Sequence, residues 1–198
     1  MNALIRITFS GLLLIVIQSF VSLAQPLSRE SKKVKLAFDA LAKTPKSRQK
    51  QLDYLKSFPQ DKQQFIAVFD QNDFSELYSD SYEYITAFFK LSKYYPQQVM
   101  DKSINIGKDL KWNADAVGYL QHHIVILGNQ QIKIFSTELR RLPESQVNGL
   151  ITFLADVENH KAYSEYQQLI NTLNQIGAKD LSDKFIKARS KREQEKND

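Results

Sequence analysis

The stretch Asp80–Tyr95, D-S-Y-E-Y-I-T-A-F-F-K-L-S-K-Y-Y, constrains this chain more than any other. With a helical repeat, its polar interior positions Glu83, Thr86, Lys90 and Lys93 share one narrow stripe. Tyr82, Tyr84, Ile85, Phe88, Phe89, Leu91, Tyr94 and Tyr95 cover the rest of the cylinder. A helix apolar over that much of its circumference must be packed on several sides, so the stretch predicts helix-on-helix layering with this element inside. Asp80 is placed to cap the helix, and Pro96 to end it or open the next one.

A second segment, Ala114–Leu127, has the same character. Asp115, Gly118 and His122 form its polar stripe, and Val117, Tyr119, Leu120, Ile124, Val125, Ile126 and Leu127 fill much of the remainder. Asn113 is expected to cap it, and Gly128 to take the left-handed conformation that closes it. Shifting Tyr82–Leu110 by 32 residues pairs Ile85 with Val117, Phe88 with Leu120, Tyr95 with Leu127, Pro96 with Gly128 and Leu110 with Leu142. Val147–Ile176 is a rougher third copy. In spacing these segments resemble HEAT-type α-solenoid pairs, without a consensus motif, and the resemblance implies an inner row of broadly apolar helices. An irregular helical bundle is the other architecture that the pattern allows.

The other helices are one-faced. Ser28–Lys43 shows Val34, Leu36, Ala37, Phe38, Leu41 and Ala42 on a lysine-rich helix, and Thr44-Pro45 is expected to start a second helix reaching about Ser57, with Leu52, Leu55 and Phe58 inside. Asp61 and Gln64 form a capping-box-like start for a short helix with Phe65, Ile66, Val68 and Phe69. Asp70–Asp73 reads as a turn and Phe74–Tyr78 as a brief helical element. Pro96–Leu110, Gln130–Leu142, a helix opened by Pro143, and Tyr163–Ile176 closed by Gly177 follow, each with a single apolar face. Leu181, Phe185, Ile186 and Ala188 make the last helix, which is expected to fray into a charged tail, residues 191–198. The strongest β-branched run, Ile124–Leu127, continues a helical pattern. The expected fold class is all-α, with about nine helices in short-looped antiparallel pairs forming one domain over residues 25–190.

Residues 1–24 read as a cleaved signal peptide. Arg6 gives a positive start, Ile7–Ile17 an apolar run, and Val21-Ser22-Leu23-Ala24 a small-residue cleavage site, leaving Gln25 first. The competing reading is an uncleaved anchor, for which the run is short and interrupted by Thr8, Ser10 and Gln18. Cleavage implies an exported, periplasmic or extracellular protein with no membrane span afterwards. Cysteine is absent, which removes disulfides, thiol catalysis and cysteinyl metal sites together. Charge is uneven: Gln25–Lys56 holds nine Lys/Arg against three Asp/Glu, whereas Ser57–Ala178 holds ten against fourteen. Lys32, Lys33, Lys35, Lys43, Lys46, Arg48 and Lys50 therefore offer a weak contact for an anionic surface, or simply complement the acidic body. Without aromatic interleaving, the segment does not read as a nucleic-acid binder.

No catalytic motif is present: no G-x-S-x-G, P-loop, dinucleotide fingerprint or H-E-x-x-H. His122 and His123 are adjacent and diverge on a helix. Asp156 and His160 would share a face if one helix continued through both, the start of a two-ligand metal site. Asp101, Asp109 and Asp115 flank Trp112, the only tryptophan, an arrangement that acid catalysis on a glycoside would suit. Each acid also sits where helix surfaces and N-caps ordinarily place acids. Tyr78, Tyr82, Tyr84, Tyr94, Tyr95 and Tyr119 gather around the two most apolar helices, as core or as the wall of a groove, and Trp112 is either an exposed anchor or a plug on the core.

The sequence-level expectation is an exported, non-enzymatic, helical-repeat-like binding protein of the cell envelope. It includes no catalytic, cofactor-binding or metal residue, and a protein or peptide partner. The alternative is an envelope hydrolase using the carboxylates near Trp112 or the Asp156/His160 pair.

Overall fold

The structure is a computed structural model that describes residues 27–69, 77–113, 115–157 and 160–195. The expected signal peptide (residues 1–24), the expected turn Asp70–Asp73 and most of the expected element Phe74–Tyr78 lie outside the described residues. Among those described, the chain is all-helical, with ten α-helices, one 3-10 turn and no strand. The helices are α1 (Arg29–Lys43), α2 (Arg48–Ser57), α3 (Lys62–Phe69), α4 (Ser81–Lys90), α5 (Pro96–Gly107), α6 (Ala116–Gln130), α7 (Ile132–Arg141), α8 (Glu144–Ala155), α9 (His160–Gln175) and α10 (Lys179–Glu195). No described helix is long and apolar enough to cross a membrane.

The aromatic segment lies inside, but it is not one helix. α4 ends at Lys90, and Leu91–Lys93 tightens into the 3-10 turn before Pro96 opens α5 at its first position. Proline disfavours helical geometry in the residue before it, and Tyr95 accordingly leaves the helix with ψ 56°. α4 packs on α6 and α6 on α9, while α3, α5, α8 and α10 contact one another in that order. α7 sits against α5, α6 and α9. One contiguous cluster of buried side chains runs from Val34 to Phe185.

Rings build the α2–α4 end of that cluster. Phe58 and Phe88 stack with centroids 4.0 Å apart and planes within 4°. Tyr54, which the sequence reading passed over, is fully buried and donates its hydroxyl to the Tyr84 carbonyl at 2.7 Å. At the other end Tyr166 does the same to the Phe185 carbonyl at 2.8 Å. A buried tyrosine needs such an acceptor, because an unpaired hydroxyl in the interior is costly.

Several expected boundaries move. Thr44 closes α1, donating its hydroxyl to the Ala40 carbonyl, and Ser47 rather than Thr44 caps α2. Asp61 does accept from the Gln64 N–H at 2.9 Å, and the Gln64 side chain accepts from the Gln60 N–H instead of closing a strict box. α6 starts after Asp115, whose φ of 54° sets the turn, rather than from an Asn113 cap. Gly128 lies inside α6, and its missing Cβ leaves room for Leu169 and Phe135, since a Cβ would meet Leu169 Cδ1 at 3.2 Å. Gly177, with φ 77°, is left-handed as expected. α10 continues through Lys191–Glu195, because Arg192 is tied to Asp156 at 2.6 Å and so the charged end has a partner to hold it.

Candidate binding groove

α1 and α4 leave a gap between them. Its α1 wall is Phe38, Leu41 and Ala42, three positions on one helical face, extended by Pro45. Its other wall, from α4 and the 3-10 turn after it, is Tyr82, Glu83, Thr86, Ala87, Lys90, Leu91 and Tyr94, the polar stripe of the aromatic segment together with its flanks. The groove encloses about 470 Å³ and is mainly apolar. Gln51 closes the floor, its amide donating to the Pro45 carbonyl at 2.8 Å and its oxygen facing the Tyr95 hydroxyl at 3.4 Å.

The two tyrosines mark the ends. Tyr82 and Tyr94 are each 56% exposed, against almost complete burial of Tyr84 and Tyr95 in the same segment. Twelve positions along α4 and the 3-10 turn separate them, roughly 18 Å along the axis. Tyr82 is steadied by an edge-on contact with Tyr119 of α6, and Tyr94 by the ammonium of Lys93 over its ring. Glu83 lies at the Tyr82 end and Lys90 toward the Tyr94 end, both exposed. The groove therefore has apolar walls, aromatic ends and opposite charges at its two ends.

On the far side of Thr86 and Lys90 a smaller hollow of about 290 Å³ lies between α4 and α6, lined by Phe89, Ser92, His123, Ile126, Leu127 and Gln130. His123 Nε2 lies 3.2 Å from the Thr86 hydroxyl, and its ring stacks on Phe89 at 4.9 Å. Burial, with His122 and Lys90 nearby, pushes His123 down to about 4. His123 is thus neutral at pH 7 and a weak base. Among the described residues no carboxylate orients its other nitrogen, so the hydroxyl–imidazole pair lacks the third member of a nucleophilic site. His122 instead faces Glu165 of α9 at 2.9 Å, joining α6 to α9.

Because His123 is depressed from an ordinary value of 6.5, its neutral form favours the folded state above pH 6.5. That contribution is lost as pH falls through about 4, because the unfolded chain takes up the proton first. Allowing for the partial exposure of the ring, the wild type is expected to lose roughly 1–2 kcal/mol more than His123→Gln between pH 7 and pH 5. Urea unfolding at the two pH values measures the difference, and equal losses in both proteins would refute the assignment.

The other sequence candidates separate. α8 ends at Ala155 and α9 begins at His160, so Asp156 and His160 do not share one helical face. Asp156 pairs with Arg192, and Arg189 donates to the Ala155 and Val157 carbonyls at 3.1 and 3.0 Å, fastening α10 to the end of α8. Asp101 accepts from Gln97, which also donates to Glu138. Burial and Glu138 raise the Asp101 carboxyl above its usual range. Asp115 accepts from the Tyr78 hydroxyl, Asp109 is exposed, and Trp112 is half-buried in the connector. Among the described residues no group of three His, Asp or Glu is placed to hold a metal ion. Of the basic residues, Lys32, Lys33, Lys43, Lys46 and Arg48 are exposed, while Lys35 and Lys50 bond Asp39 and Asp53.

The groove itself was not assembled from sequence. The signal was present in the polar stripe Glu83–Thr86–Lys90 beside two tyrosines, but the facing wall comes from a helix 40 residues earlier. Comparison of the chain with protein-family models, with curated proteins and with solved structures finds no match to any of them.

Proposed function

We propose that this chain is an exported binding protein of the cell envelope that takes a polypeptide segment of a protein partner in the groove between α1 and α4. The observation that carries the reading is the pair of exposed tyrosines, Tyr82 and Tyr94, at the ends of an apolar groove. Exposed aromatic rings beside an apolar cleft are the anchors that protein interfaces favour. A span of roughly 18 Å fits five or six extended residues. Glu83 and Lys90 would set the direction of the segment by their opposite charges.

Export is supported by the apolar run and the Val-Ser-Leu-Ala site at residues 21–24. The packing of α4 on α6 on α9 supports reading the helices as a short HEAT-like stack, an architecture that presents binding surfaces along its rows. The hydrolase alternative draws less support, because Asp156 is engaged by Arg192, and Asp101 and Asp115 near Trp112 are held by separate partners.

A photo-crosslinking benzoylphenylalanine at position 94 tests the groove in the envelope fraction. A discrete adduct is expected, reduced at least about tenfold by Ala87→Arg, which fills the groove from its wall with a bulky charge that interface cores exclude. The same adduct formed from position 186 on α10, or an adduct indifferent to Ala87→Arg, would remove the proposal.

A further inference from the structure

The outer face of α1 and α2 carries a second feature, on the side of α1 away from the groove. Leu36 is 70% exposed, the most exposed of the large apolar side chains in the described residues. It stands at the centre of the polar face of α1, turned away from the buried Val34 and Leu41. Arg29, Lys32 and Lys33 lie on the same stripe one and two turns earlier. α2 packs alongside and adds Lys50 and Lys56, and the two helices frame a shallow depression around Leu36.

The charge balance of this patch is one-sided. Asp53 is its only acid, and it is paired with Lys50. Among the described residues Arg29, Lys32, Lys33 and Lys56 form no ion pair. Lys33 lies near enough to Lys102 to help depress it, with burial the larger cause, to about 8. Apart from the Lys50–Asp53 pair, like charges are therefore gathered here without internal neutralisation, which favours an external anion.

We infer that this face docks on an anionic lipid bilayer surface, with Leu36 entering the headgroup layer while Arg29, Lys32, Lys33 and Lys56 meet the lipid phosphates. The chemistry separates this occupant from a nucleic acid. A solvent-exposed leucine ringed by cations matches an interfacial membrane contact, in which apolar burial and electrostatic attraction act together. A nucleic-acid surface would pair such cations with aromatic or planar groups for stacking, and no aromatic residue lines the depression. The contact is independent of the groove, which lies on the opposite stripe of α1.

Sedimentation of the chain from Gln25 onward with phosphatidylglycerol–phosphatidylcholine vesicles tests the inference, with pure phosphatidylcholine vesicles as reference. Binding is expected only to the anionic vesicles and is expected to weaken with salt. Each basic residue near such a surface contributes about fivefold, so the double variant Lys32→Glu/Lys33→Glu is expected to bind at least about tenfold more weakly. Leu36→Ser, at an exposed position where folding is unaffected, is expected to reduce binding about threefold or more through lost apolar burial. Lys187→Glu/Lys191→Glu on α10 and Ala87→Arg in the groove are expected to leave it unchanged. Equal binding to both vesicle types would overturn the inference, as would indifference to Lys32 and Lys33. So would a single-stranded oligonucleotide that displaces the vesicles and binds Leu36→Ser as well as wild type.

Discussion

Phe88→Asp and Leu120→Asp are each expected to remove more than about 4 kcal/mol of stability, enough to unfold much of the population of an ordinary domain. Both side chains are fully buried, Phe88 against Phe58 and Phe89, and Leu120 at the corresponding place on α6. An aspartate there either keeps an unpaired charge in the interior or takes up a proton and leaves a cavity, and both outcomes are costly. Phe88→Leu gives the scale, with an expected loss of about 1–2 kcal/mol from imperfect refilling of the ring's space. Chemical unfolding of the three variants decides the matter. If the two aspartate variants melt with the wild type, α4 and α6 are not the interior of this protein.

The second large effect is expected at a glycine. Gly149 lies in the body of α8, where alanine would ordinarily improve the helix by up to about 1 kcal/mol. A Cβ at this position, however, would stand 2.3 Å from the backbone carbonyl oxygen of Lys108 at the end of α5. That atom belongs to the main chain and cannot rotate away, so the two helices must separate. Gly149→Ala is expected to cost about 3 kcal/mol net, at the upper end of overpacking effects. Gly118→Ala is the internal control, because its nearest neighbour is a carbonyl at 3.9 Å, and it is expected to leave stability unchanged or raise it slightly. A Gly149→Ala protein as stable as Gly118→Ala would show that α5 and α8 do not approach this closely.

These two sites show different degrees of legibility. Phe88 and Leu120 were readable because a helix with apolar residues on most of its surface must bury the side opposite its polar stripe. Gly149 in the sequence is only a weak helix former; its reason lies in a carbonyl 41 positions earlier. Capping residues fall between these cases. Ser47 won over Thr44 because Thr44 found the Ala40 carbonyl behind it, a choice between two local hydrogen bonds that composition does not rank. The apolar residues of α1 did not by themselves show which would be covered: Val34 and Leu41 are buried, whereas Leu36 is exposed. The Arg192–Asp156 pair was invisible because the charged end of α10 looks solvent-bound until α8 is placed beside it.

By itself the sequence determined the class: an all-helical fold over the described residues, no disulfide, α4 and α6 as internal elements, and Gly177 as a helix stop. Periodicity and turn chemistry are local, and they act over a few residues wherever the chain goes. Tertiary structure alone decided where two helices stop short of closing, which leaves the groove between Tyr82 and Tyr94. It also decided which apolar residue is turned out among the lysines, and which glycine admits a neighbouring carbonyl. Each of these depends on the relative placement of helices distant in the chain. That placement is fixed by the packing of the whole core rather than by any one segment's own pattern.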